Sequence, residues 1–153
     1  MPLTIHKLSL HCCLLAMLTV AYPALAAHTG PDSEEKIASP ETIEGVINVD
    51  AEGLIKMVMS TPDLVLIDSR IHADRKEGYI EGSISLPDIE TTCDSLANAL
   101  PQLDNPVMFY CNGVNCGRSA NAAVIAIDCG YSNILWFRHG IEEWQEKEYP
   151  LVH

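Results

Sequence analysis

Val107-Met108-Phe109-Tyr110-Cys111-Asn112-Gly113-Val114-Asn115-Cys116-Gly117-Arg118 is the stretch on which the reading of this chain turns. Four apolar residues in a row are what a strand covered on both faces looks like, and the run stops abruptly in loop chemistry of Asn, Gly and Cys. Arg118 then opens an alanine-rich helix that stops at Gly130. Strand, loop and helix in this order turn several backbone N–H groups toward one point, where the helix dipole also favours negative charge. Cys111 begins the loop, so its sulfur is the expected occupant. The donors are expected to lower its pKa and hold it as thiolate.

The same alternation extends outward. Val46-Ile47-Asn48-Val49 is a strand candidate, and Asp50 can cap a helix through Leu54, Ile55, Met57 and Val58 that ends at Thr61-Pro62. Leu64-Val65-Leu66-Ile67 is a second buried run, with Asp68-Ser69-Arg70 at its carboxyl end. Ser83-Ile84-Ser85-Leu86 is a short strand, and Ser95 to Leu100 a modest helix stopped by Pro101. Asn133-Ile134-Leu135-Trp136 is the last strand, and Ile141 to Glu146 a closing helix before Pro150. Strands alternating with helices predict an α/β domain with a central parallel sheet flanked by helices on both faces, in which ligands bind beyond the carboxyl ends of the strands.

The amino terminus reads as an address. A basic n-region ending at Lys7, an apolar run from Leu8 to Tyr22 and the small residues Ala24 and Ala26 predict a secretory signal peptide over residues 1–26, cleaved after Ala26. Residues 27–45, polar with Pro31 and Pro40, are expected to form a flexible leader, and residues 46–153 one domain. The expected location is the periplasm or the medium, with no stable membrane insertion after cleavage. The chain carries 9 Lys and Arg against 21 Asp and Glu, a net charge of −12, which argues against nucleic acid and anionic membranes as partners. A small anion can still bind, because salt screens distant surface charge beyond about 10 Å.

Beyond the signal peptide stand Cys93, Cys111, Cys116 and Cys129. An even count in an exported chain first suggests disulfides, with three connectivities if all four pair. Against this, a domain rich in aliphatic residues needs no staples, and the spacing lacks the regular framework of a small disulfide scaffold. Cys93 and Cys129, away from the strand-end loop, read as structural. Cys116, five positions after Cys111, is either a thiol able to attack an oxidised or persulfidated Cys111 and close a disulfide, or a small residue packed under the loop. Arg118 can add fixed positive charge at the rim. Arg138 follows the last strand and can attract an anion from a neighbouring loop, whereas Arg70 can reach the same pocket or simply pair with Asp68. His139 and His72 have weaker claims. There are no Cys-x2-Cys pairs and no clustered histidines, so no metal site is read.

Taken together these segments resemble the rhodanese-like sulfurtransferase family. The likeness spans about Val46 to Leu151, through Leu66-Ile67-Asp68-Ser69-Arg70, Gly78-Tyr79-Ile80-Glu81-Gly82-Ser83-Ile84, Phe109-Tyr110-Cys111, Arg118-Ser119, Gly130-Tyr131 and Gly140-Ile141-Glu142-Glu143-Trp144. It implies a five-stranded rhodanese fold and transfer of sulfane sulfur from a small anionic donor such as thiosulfate to a thiol or cyanide-like acceptor, without a cofactor. It also implies Cys111 as the persulfide-bearing nucleophile, cradled by Asn112, Gly113, Val114, Asn115, Cys116, Gly117 and Arg118. In one respect the chain departs from the pattern. Family loops usually place four residues between the cysteine and the arginine, and phosphatase-like relatives five, whereas here six intervene. The longer loop keeps phosphate or arsenate chemistry open. A thiol redox protein using Cys111 and Cys116, or a persulfide carrier or sensor without turnover, are the other readings.

Overall fold

The computed structural model describes residues 38–153, so the expected signal peptide and the first part of the leader lie outside the described residues. Five strands form one parallel sheet: β1 (Val46–Asn48), β2 (Val65–Asp68), β3 (Ile84–Ser85), β4 (Val107–Tyr110) and β5 (Ile134–Phe137), in the order β1-β5-β4-β2-β3. The helices are α1 (Ala51–Ser60), α2 (His72–Arg75), α3 (Cys93–Ala99), α4 (Arg118–Asp128) and α5 (Gly140–Glu146). β4 occupies the centre, paired with β2 in the register Asp68 to Tyr110 and with β5 in the register Tyr110 to Phe137. Apolar residues on both of its faces are therefore required, and all four are buried.

Strand alternation sorts the core into two layers. Leu66, Met108, Tyr110, Leu135 and Phe137 pack with Leu54 of α1 and Ile141 and Trp144 of α5. Ile67, Val107, Phe109 and Ile134 face the other way, against Leu96 of α3 and Ala122, Ala123 and Ala126 of α4. The alanines let α4 lie close to the sheet. Its end is set by Gly130, whose φ of +94° turns the chain back so that the Tyr131 N–H reaches the Ala126 carbonyl. At α1 the Asp50 carboxylate accepts from the Gly53 N–H at 2.8 Å, the cap read from the sequence.

Three features differ from the sequence reading. Cys93 and Cys129 form a disulfide that ties the start of α3 to the end of α4, so the four cysteines divide into a bonded pair and two free thiols. The expectation that no staple was needed overlooked how short α3 is. Closing a 36-residue separation contributes about 4 kcal/mol in the chain-entropy account. The second difference is at the leader, where residues 38–45 lie against the domain. Ser39 is buried, and its N–H and hydroxyl both donate to the Val114 carbonyl, at 3.0 and 2.9 Å. The third is that α2 and a 3-10 turn at Asp88–Glu90 fill two stretches to which the sequence reading assigned no element.

Asp68-Ser69-Arg70 acquires a structural reason. The Asp68 carboxylate is fully buried and accepts from Arg70 Nε at 2.9 Å, Arg70 Nη2 at 2.7 Å and Arg75 Nη1 at 3.0 Å. Arg70 also donates to the Gly78 carbonyl at 2.8 Å, while Arg75 and the Tyr110 hydroxyl meet at Ser83. One buried ion network thus joins β2, β4 and the segment Gly78–Ser83, and Arg70 belongs to it rather than to a ligand site. Asp68→Ala is expected to lose about 3–5 kcal/mol, because it leaves a buried guanidinium uncompensated. Urea melts check this, and an unchanged midpoint would refute the assignment.

Candidate active site

Cys111 follows the last residue of β4 and is fully buried. Helix α5 fixes its position. The Ile141 N–H donates to the Cys111 carbonyl at 3.0 Å, and the Glu142 N–H to the Asn112 carbonyl at 2.8 Å. The approach requires glycine at the start of α5. Gly140 has φ +56°, and a β-carbon there would collide with the Cys111 carbonyl oxygen. This explains physically why Gly140-Ile141-Glu142 stands where it does.

Helix α4 closes the other end of the loop. Its N-cap, Gly117, offers no side-chain cap, which leaves the first N–H groups of the helix to the loop. They do not converge on a single sulfur. The Ser119 N–H serves Cys111, whereas the N–H groups of Arg118 and Asn112 serve Cys116. The Ser119 hydroxyl also donates to Cys111 Sγ at 3.2 Å and itself accepts from Trp136 Nε1 at 2.9 Å. Because the indole can only donate, it leaves the hydroxyl proton directed at the sulfur. Sequence reasoning missed this relay, although a serine one residue into a helix that begins at an anion loop was a visible signal.

The two free thiols are coupled. Cys111 Sγ lies 3.0 Å from the Cys116 carbonyl and 4.0 Å from that of Gly113, the contacts of a thiol that donates. Burial first, then the hydrogen bond and charge of Cys116, push Cys111 well above the ordinary thiol range, against the pull of Ser119. Cys116 moves the opposite way. The hydrogen bond from Cys111, opposed by burial and aided by the Arg118 and Asn112 N–H groups and the Arg118 charge, brings it down to about 6. The expectation of a thiolate on Cys111 is therefore corrected. Cys116 is the more acidic of the two sulfurs, being less buried and supplied with the Arg118 and Asn112 N–H groups.

The remaining loop residues have separate tasks. Asn112 turns its side chain to Asp74, with Nδ2 to Oδ2 at 2.9 Å. The Gly113 carbonyl accepts from the Cys116 N–H at 3.0 Å, and the Glu142 carboxylate packs on its α-carbon. The Val114 carbonyl holds Ser39, and Asn115 is exposed. Arg118 Nη1 pairs with Asp88 at 3.1 Å, and Asn121 reaches the same carboxylate at 3.4 Å. Asp88 is a neighbour that sequence reasoning did not name. Arg138 donates to the carbonyls of Pro40 at 2.7 Å and Ser39 at 3.4 Å, so it holds the segment before β1. His72 bonds Ser85 and Glu90, and His139 is exposed at the start of α5.

The structure is an α/β domain with a five-stranded parallel sheet and a buried cysteine at the end of its central strand, beside the start of α4. The chain belongs to the rhodanese-like domain family, whose model matches residues 50–147. It is similar to a protein named as a sulfurtransferase from Allochromatium vinosum, 29% identical over 107 residues that cover 70% of this chain and 95% of that one. It is also similar to the YibN protein of Escherichia coli K12, 26% identical over 113 residues, 73% of this chain and 77% of the relative. Among solved structures, a thiosulfate sulfurtransferase of Pseudomonas aeruginosa shares the fold, with TM-score 0.60 and 21% identity. That match covers 71% of this chain but only 20% of the larger one.

Reactivity follows from the sulfur pair. Thiolate forms as pH rises through a thiol's pKa, so alkylation of Cys116 is expected to rise through about pH 6 while Cys111 stays unreactive beyond neutrality. In Cys116→Ser the partner that keeps Cys111 protonated is gone, and its alkylation is expected to begin at lower pH. Site-resolved alkylation by peptide mapping measures both. A common rise of the two thiols near about pH 8.5 would contradict the coupling.

Proposed function

We propose that this chain is a sulfurtransferase in which Cys111 carries sulfane sulfur as a persulfide, from a small anionic donor such as thiosulfate to a thiol or cyanide-like acceptor. The observation that carries the proposal is the buried Cys111 sulfur at the end of the central strand, met by the Ser119 hydroxyl and N–H from the start of α4. Membership of the rhodanese-like family and the likeness to a relative named as a sulfurtransferase support it.

In the first half-reaction Cys111 attacks the outer sulfur of thiosulfate while its proton, held toward the Cys116 carbonyl, passes to the more acidic Cys116 thiolate beside it. The sulfur–sulfur bond of the donor breaks, and sulfite leaves with the electron pair. An acceptor thiolate or cyanide then removes the outer sulfur and restores Cys111. The Cys116 carbonyl facing Cys111 suits the thiol but repels an anion, so the Cys116–Gly117 peptide turns as charge develops, and Gly117 places no side chain in its way. Arg118, beside Cys116, supplies the positive charge that a dianionic donor needs.

A second reading rests on Cys116, the more exposed and more acidic sulfur, as the first point of attack. Peptide mapping of the sulfur adduct separates the two. Location is part of the proposal. We place the mature chain in the periplasm or medium, starting at Ala27, a reading supported by the pattern of residues 1–26 and by the Cys93–Cys129 disulfide, a bond that persists in oxidising compartments. N-terminal sequencing of the exported protein is expected to begin at Ala27, and retention of Met1 in a membrane fraction would contradict it.

Cys111→Ser is expected to abolish thiosulfate-dependent sulfur transfer to cyanide, with the cooperative thermal transition retained, because a hydroxyl cannot replace a sulfur nucleophile. Full transfer activity in that variant would refute the role of Cys111.

A further inference from the structure

We infer that Cys116 is a resolving thiol that converts the Cys111 persulfide to a disulfide and releases the carried sulfur as hydrosulfide. The inference rests on the carrier role proposed for Cys111 and assigns that same site a second, reductive outcome.

The geometry comes first. Cys111 and Cys116 are both free, stand five positions apart in one loop and approach closely, with Cys111 Sγ 3.0 Å from the Cys116 carbonyl and the Cys116 N–H closing the intervening turn on the Gly113 carbonyl at 3.0 Å. Cys93 and Cys129, by contrast, are already paired and play no part in the exchange. Cys111 is pinned through its carbonyl to α5 and its sulfur is buried, whereas Cys116 is half-exposed and carried by the loop. A buried electrophilic sulfur and a more exposed nucleophilic one in the same loop are the two parts that intramolecular thiol–disulfide exchange requires. The N–H groups of Asn112 and Arg118 that support Cys116 keep it anionic near neutral pH, and the attacking species in such exchange is the thiolate.

The step balances without an external oxidant. After the donor has reacted, the site holds a Cys111 persulfide anion and a Cys116 thiol. The proton returns from Cys116 to the terminal sulfur. The Cys116 thiolate attacks Cys111 Sγ, a bond forms between these two sulfurs, and the bond from Cys111 Sγ to the terminal sulfur breaks with its electron pair. Hydrosulfide departs. The sulfane sulfur is reduced, and the two cysteine sulfurs are oxidised to a disulfide. A further round requires a dithiol reductant to reopen that bond. The fate of the carried sulfur therefore depends on competition. A strong acceptor takes it as sulfane sulfur, and in the absence of an acceptor the loop expels it as sulfide.

The test is a single turnover on the full protein, with its free thiols reduced, the reductant removed and a slight excess of thiosulfate as the only added reagent. The wild-type chain is expected to release one hydrosulfide per protein and to end about 2 Da lighter, with Cys111 and Cys116 linked in the peptide map. The rate is expected to be independent of protein concentration because the attack is intramolecular. Cys116→Ser and Cys116→Ala are expected to release none and to stay about 32 Da heavier, holding one added sulfur on Cys111. Wild-type protein that keeps the added sulfur and releases no hydrosulfide, as the variants do, would overturn the resolving role while leaving the carrier role standing. Failure of all three proteins to take up sulfur would overturn the carrier role and the inference with it.

Discussion

The contact on which the site depends is the hydrogen bond from the Ile141 N–H to the carbonyl of Cys111. It joins the end of the central strand to the start of α5 at a distance only Gly140 permits, and it holds the Cys111 backbone still while the sulfur points to the α4 side. Strand alternation does the rest. With Tyr110 committed to the α5 layer, the next residue must face α4, where Ser119 and Trp136 wait. The burial that pushes the Cys111 thiol up would also keep water from the persulfide proposed for it.

Two buried polar networks divide the carboxyl edge of the sheet between them. On the α5 side, Asp68, Arg70, Arg75, Ser83 and Tyr110 form one hydrogen-bonded group in which a single carboxylate holds two guanidiniums. On the α4 side, Trp136, Ser119, Cys111 and Cys116 form a chain that ends on a half-exposed sulfur. The first network ties β2 and β4 to the Gly78–Ser83 segment, and the second sets a thiol shifted up beside one shifted down.

Much of this was legible in the sequence. The run Val107–Tyr110 was read to the residue as β4, Arg118 as the first residue of α4, and Asp50 as the cap of α1, since continuous apolar runs and cap residues act locally. What escaped depends on partners distant in sequence or on segments too short for periodicity. Helix α2 has four residues and buries none of them. The bonds of Ser39 to Val114 and of Arg138 to Pro40 span most of the domain, so residues 38–45 looked like free leader. The sequence placed Cys111 at the end of β4 and the loop before α4, where the structure has them, but not the placement of charge between the two thiols. Which sulfur the N–H groups serve is set by the three-dimensional course of the loop, and no propensity reports it.

The most direct measurement is a crystal structure of the Cys116→Ser chain soaked with thiosulfate, in which no second thiol can remove the transferred sulfur. The account predicts one additional sulfur atom bonded to Cys111 Sγ, within reach of the Ser119 hydroxyl, with the peptide before Gly117 turned so that its N–H faces the new sulfur. An unmodified Cys111 after uptake of sulfur elsewhere on the chain, or a persulfide facing an unturned carbonyl, would contradict it.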